Sequence, residues 1–435
     1  VQPFDWVRAA PRRAGLLAAG LAALVVGLLW FATRASEPAA VPYLGTDPAR
    51  ASAALEDRPD GIPAIRAAAP CEGGGPFNRP VDPAAAAQAE TRADEAFAAA
   101  GRQLAARQSP AEHALGLYVL MMGARKQADE LAEAAPPGCA RDEACRAQVG
   151  RATLEMSRLY RDRIATIAAA STDSDVYALG YFACSTPVRR AEEGQCAQIS
   201  AAQWTRLEPD NALPWLYVAG EAAARGDVAG QAEAYFRASR ARLDDSKWTV
   251  FAPLLDTRLL PEPSQDLRDV LGVSAIGMAV ANPLPNYQGL KFFCSQAALA
   301  DPNRRQVCDD LADMLTARSD TLLGLMIGRT LGERLGWSPD HLNVLRDRID
   351  ANMQIEQDTA GIDTESCEAR QSLRQWVTDA LRYGELGAGQ RAIEAGGRTT
   401  VQLAQQMRAT RRKILDERRS PGYPPAAPPD PPNNR

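Results

Sequence analysis

Eight cysteines, two histidines and one Glu-Ser pair are the residues of this sequence with the most chemistry to offer. An even set of cysteines in an oxidising compartment makes a disulfide framework the default. No Cys-x-x-Cys occurs, and neither histidine is near a cysteine in sequence, so no metal or redox centre is expected. Spacing ranks the pairings. Cys184 and Cys196 are separated by 11 residues and Cys294 and Cys308 by 13, each pair straddling an expected turn between two helices. Cys139 and Cys145 flank a helix start and can pair across it. Cys71 and Cys367 remain, and their pairing ties the beginning of the body to its end.

His113 follows Ser109–Pro110, and His341 follows Ser338–Pro339–Asp340. Both fall in the first turn of an expected helix, where surface or capping residues are more common than catalysts. Gly-x-Ser-x-Gly, His-Glu-x-x-His and a phosphate-binding glycine loop are all missing from the sequence. No catalytic, cofactor-binding or metal-binding residue is therefore assigned, and the chain is read as a non-enzyme. Trp204, Trp215, Trp248, Trp337 and Trp376 could line a ligand groove, but at helical spacing they read better as core.

The elements that carry these residues begin with an apolar run, Ala14 to Thr33. Twenty helical residues span roughly 30 Å, the thickness of a hydrocarbon core. Arg8, Arg12 and Arg13 precede it and only Arg34 follows closely, which orients residues 1–13 to the cytoplasm. A cleaved signal peptide is the alternative; its apolar core is usually about 7–15 residues, shorter than this run. Ala19, Ala23 and Gly27 recur every fourth position, a stripe through which two such helices could form a homodimer. Every cysteine lies beyond this span. Residues 34–70 read as a Pro/Ala-rich tether, 71–419 as the body and 420–435 as a disordered proline-rich tail. Val270 to Val280 is apolar but short, and reads as a buried helix of the body.

Of the 49 basic residues, four are lysines (Lys126, Lys247, Lys291 and Lys413), and the rest are arginines. With the abundance of alanine, this suggests a GC-rich bacterial genome and hence an inner-membrane protein with its body in the periplasm. A net charge of -5, with arginines dispersed among acids, gives no nucleic-acid signal. Period-2 alternation is nearly absent, while Ala, Leu, Glu, Gln and Arg dominate between regular turn signals. The fold class expected is all-α: an irregular, α-solenoid-like array of helical hairpins, clipped by disulfides. Helices are expected at Pro83, Ser109–Pro110, 142–170, 173–182, 200–207, 246–256, 264–281, 286–298, 302–318, 321–335, 339–357, 367–383 and 399–419.

Within the body, Pro209–Asp210–Asn211, Trp215, Ala219, Gly226–Asp227, Tyr235 and Ala238 lie at spacings found in a paired-helix repeat. Residues 207–241 resemble a tetratricopeptide repeat, whose unit is 34 residues. The resemblance implies an antiparallel hairpin with Trp215, Ala219, Gly226, Tyr235 and Ala238 as its repeat core, and a partner-binding role. Gln231 and Leu243 depart from the family's alanine and closing proline. A second resemblance is to lytic transglycosylases, through Glu365–Ser366 and Gly324–Leu325–Met326. There the order is reversed, the following glutamine is missing, and no Ala-Tyr-Asn occurs. A cell-wall enzyme using carboxylates is thus the alternative to the favoured reading. That reading is a membrane-anchored scaffold that binds an envelope protein or peptide, with the bilayer as its second partner.

Overall fold

A computed structural model describes residues 83–133, 143–185, 194–260, 264–360 and 367–419. The expected membrane span 14–33, the tether 34–70, the tail 420–435, Cys71, Cys139 and Glu365–Ser366 lie outside these residues. The described chain is helical. It has no β-strand, only two isolated parallel bridges, Asn211 with Leu243 and Asp244 with Ser319.

The helices are α1 (Pro83–Ala105), α2 (Pro110–Glu133), α3 (Glu143–Ala169), α4 (Ser174–Cys184) and α5 (Ala201–Leu207). Next come α6 (Ala212–Ala224), α7 (Val228–Ser239), α8 (Gln265–Ala281), α9 (Tyr287–Phe293) and α10 (Pro302–Arg318). The chain closes with α11 (Leu322–Leu335), α12 (Pro339–Ala360), α13 (Cys367–Gly396) and α14 (Thr400–Arg419). Their starts are written in side chains that accept from otherwise unpaired backbone N–H groups. Asp173 accepts from Asp175 N at 2.8 Å, Ser200 from Gln203 N at 3.2 Å and Asp227 from Gly230 N at 2.8 Å. Asp301 accepts from Asn303 N at 2.9 Å, with Pro302 in the first turn, where a missing N–H costs nothing.

Two expected elements differ in the structure. Residues 246–256 form a 3-10 helix at Trp248–Leu255, because Pro253 has no N–H for an α-helical ladder and Lys247 enters in the left-handed region at φ 66. The helix expected over 286–298 stops at Phe293, where Cys294 leaves helical geometry and turns into a disulfide. The helix expected to end at Tyr383 is broken just after it, where Gly384 at φ 77 and ψ 172 leaves helical geometry, and a further helical segment follows to Gly396.

Sequence-adjacent helices pack in pairs: α1 on α2, α2 on α3, α3 on α4, α6 on α7 and α10 on α11. One large apolar core joins α1 to α5 with the 248–255 turn, α8 and α13, and a second joins α6, α7, α9, α10 and α11. α13 packs on the 248–255 turn and α8, and α14 packs on α12. These long-range contacts depart from the nearest-neighbour pattern of a solenoid. Val270 to Val280 lies in α8, with Leu271, Ala275, Met278 and Ala279 buried. No described helix is long and apolar enough to cross a membrane.

Two disulfides with both cysteines among the described residues clip this array. Cys184, the last residue of α4, bonds Cys196 with 5.6 Å between Cα atoms, and Cys294 bonds Cys308 of α10 with 5.9 Å. Cys196 sits in a 3-10 turn, Gly194–Gln198, and Cys294 lies just past the end of α9, so each bridge joins one α-helical cysteine to one outside an α-helix. Closing a loop of this length removes about 3 kcal/mol of unfolded-state freedom. Cys294→Ser with Cys308→Ser is therefore expected to lower stability by about 3 kcal/mol in urea unfolding. Non-reducing peptide mapping checks the pairing itself.

Candidate functional site

Residues 207–241 fold as the antiparallel pair α6 and α7, joined at Gly226 with φ +73. Nothing lies within 4 Å of where a side chain would start at Gly226, so the glycine is required by conformation alone. Ala219 and Ala238 are fully enclosed, and Tyr235 is 1% exposed. The Tyr235 ring meets Phe293 of α9 at 4.7 Å between centroids. Burial pushes the Tyr235 hydroxyl up to about 12. Trp215 is only half-buried, not enclosed between the helices. Its indole N–H donates to Pro209 O at 3.0 Å and its ring covers one edge of the second core.

Beside this hairpin is an open groove with about 410 Å³ of free volume. The α7 wall supplies Val228 and Gln231, and the α9 wall supplies Gln288 and Phe292. Arg304 of α10 reaches in over the Phe293 ring, 4.8 Å from its centroid. Val228 and Phe292 are each 66% exposed, unusual for large apolar side chains on neighbouring elements. Beneath them, a methyl group added to Gly289 would sit 3.3 Å from the Tyr235 hydroxyl. Two buried tyrosines bond the segment that leads into α9. Tyr217 donates to Pro283 O, and Tyr118 donates to Asn282 Oδ1 at 3.1 Å. The Cys294–Cys308 bridge ties the end of α9 to α10.

A second concentration of polar groups is internal. Lys247, almost fully buried, places its ammonium 2.9 Å from Asp175, 2.5 Å from Glu208 and 3.5 Å from Asp245. Burial opposes the charge, yet the three carboxylates outweigh it and hold the ammonium above its usual range. An ammonium so stabilised is neither a base nor a nucleophile. Next to it lie Asp244 and Asp320, which make no ion pair with a cation among the described residues. Ser246 donates to Asp320 through its N–H at 3.1 Å and its hydroxyl at 3.0 Å. Burial pushes Asp244 up to about 6, with Asp245 adding to it, and drives Asp320 well above the ordinary carboxylate range. Further along, Glu385 accepts from Leu322 N at 2.7 Å and shares a hydrogen bond with Glu356. Burial raises both, and their mutual repulsion raises Glu356 further. Among the described residues, no three His, Cys, Asp or Glu converge as a metal-binding set.

The other residues singled out in sequence do not gather at one place. His113 is on α2 and His341 on α12, the latter edge-on to Trp337 at 4.9 Å. Trp204 and Trp248 are buried in the first core, while Trp337 packs on the second and donates to Asp309 at 2.7 Å. Trp376 is half-buried on α13. Gly324 and Leu325 are buried in the first turn of α11. Cys145 is disulfide-bonded, and Cys367 opens α13. The groove residues Val228, Phe292 and Arg304 carried no signal as a group. In the sequence, Phe292 and Arg304 are marked only by each preceding a cysteine of the second clip. No family model, curated protein or solved structure matches the chain.

Proposed function

We propose that this chain is a membrane-tethered, extracytoplasmic helical-repeat protein whose body binds another envelope protein or peptide without performing catalysis. The observation that carries the reading is the open groove beside the 207–241 hairpin, framed by the exposed Val228 and Phe292. Two exposed large apolar side chains lining one cleft offer contact area to a partner's apolar side chain. The tetratricopeptide-like spacing supports the same role, since paired-helix repeats expose surfaces for partners. The apolar run 14–33 and the arginines before it support the anchor and its orientation.

Photo-crosslinking in native membranes tests the binding role. A photoreactive phenylalanine at position 292 of the full chain is expected to yield one saturable adduct. The same group at Leu159, an exposed apolar position on α3, is expected to yield none. Equal labelling from both positions would show the groove to be ordinary surface. A reporter fused after Pro70 is expected to be active only outside the cytoplasm, and activity inside it would refute the compartment.

A further inference from the structure

The geometry points to the class of partner the groove takes: an extended segment of another protein bearing an aromatic or large aliphatic side chain flanked by carboxylates. This inference rests on the interaction reading above and gives it chemistry.

The size of the groove sets the first limit. At about 410 Å³ it lies near the lower end of ligand-binding cavities, which suits one or two large side chains better than the face of a whole helix. Phe292 and Val228 supply apolar walls for them. Gln231 and Gln288 bring amides that can donate and accept at the main chain of an extended segment.

Charge sets the second. Arg304 is the one formal charge among the groove-lining residues. Its guanidinium is stacked over Phe293 at 4.8 Å and makes no ion pair with a carboxylate among the described residues. The cation–π contact holds the guanidinium at the groove and leaves N–H groups open to a carboxylate, which a guanidinium can bind with two parallel hydrogen bonds. The acid nearest in sequence on the α7 side, Asp227, is already engaged as the cap of that helix through Gly230 N. A cationic segment would face Arg304 with no compensating acid in the groove wall. An acidic one gains a partner that the fold has left unpaired and oriented.

The test uses the full chain in detergent micelles and a short fluorescein-labelled peptide carrying two phenylalanines among glutamates. Fluorescence anisotropy is expected to rise saturably with protein, and the affinity to fall as salt is raised. Replacing the glutamates by lysines, or the phenylalanines by serines, is expected to abolish binding. Arg304→Gln and Phe292→Ser are each expected to weaken it by about tenfold or more, the loss typical of one charge-assisted or fully buried contact. Arg304→Lys keeps the charge but not the fork, and is expected to fall between Arg304→Gln and wild type. Equal binding of the lysine peptide, an unchanged affinity in Arg304→Gln, or no binding of the acidic peptide overturns the inference. The adduct at position 292 separates the two readings. If it persists while the acidic peptide fails, the groove has a partner of another chemistry; if it too is lost, the interaction reading falls with it.

Discussion

Tyr235→Ala is expected to lower the stability of the helical body by about 3–5 kcal/mol, the usual cost of deleting a buried aromatic ring. The ring is 1% exposed and fills the space between the 207–241 hairpin and Phe293, so no surface collapse can heal the hole. Tyr235→Phe separates ring from hydroxyl. That hydroxyl has at most a weak contact with the Gln231 side chain and no hydrogen bond of good geometry, so its removal is expected to change stability by under about 1 kcal/mol. Gly226→Val meets open space but must hold a β-branched residue at φ +73, at a cost of about 1–3 kcal/mol. Glu233→Ala, on the exposed face opposite and paired only with Arg237, is expected to change stability by less than about 0.5 kcal/mol. Urea unfolding of the four variants orders them. A Tyr235→Ala protein as stable as wild type would mean that the hairpin does not pack on α9.

Much of the hairpin was legible because its signals are local. The glycine turn, the Asp227 cap and the helical spacing of Ala219, Tyr235 and Ala238 all act within one stretch of chain. The same holds for most helix starts, where a Ser, Asp, Asn or Thr side chain reaches a backbone N–H two or three residues on. Trp215 shows the limit. Spacing places it on the hairpin but not on which side, and the side is decided by the hydrogen bond to Pro209 O. The groove shows a larger limit. Val228, Phe292 and Arg304 come from three helices and meet only because Tyr235 packs on Phe293 and a disulfide ties α9 to α10. The buried carboxyls are the extreme case. Asp244, Asp320, Glu356 and Glu385 are far apart in sequence, and each alone reads as an ordinary surface acid. Even the kink that brings Glu385 inward is hidden in one glycine. At Gly384 a side chain would begin 2.6 Å from Asp320 Cβ, and the chain turns so that Leu386 N can donate to Asp320 O at 3.0 Å.

Those carboxyls give the fold an unusual expected dependence on pH. Asp244 is buried, accepts from Ser319, and is pushed up from 3.8 to about 6, chiefly by desolvation. A group that holds its proton more tightly when folded contributes its full stabilisation below its unfolded value. That contribution is lost as pH rises through the folded value. For Asp244 the window is about pH 4 to about pH 6, and at 1.36 kcal/mol per tenfold change in proton affinity it is worth about 3 kcal/mol. Asp320, Glu356 and Glu385 shift in the same direction for the same cause, so they extend the loss toward higher pH. Asp256 acts oppositely. Its bonds from Arg258 and Arg107 hold it well below the usual range, and its contribution disappears only in strong acid. The described body is therefore expected to be most stable in mild acid and to weaken toward neutrality. Asp244→Asn mimics the protonated side chain and keeps an oxygen to accept from Ser319. It is expected to match wild type near pH 4 and to exceed it by up to about 3 kcal/mol at pH 7.5, as urea unfolding at a series of pH values would show. Glu356→Gln, which lets the Glu385 carboxylate accept a hydrogen bond without sharing a proton, is expected to stabilise in the same direction by about 1–3 kcal/mol. If both variants follow the wild-type pH profile, these carboxyls are hydrated in solution and the seam between Asp320 and Glu385 is open to water.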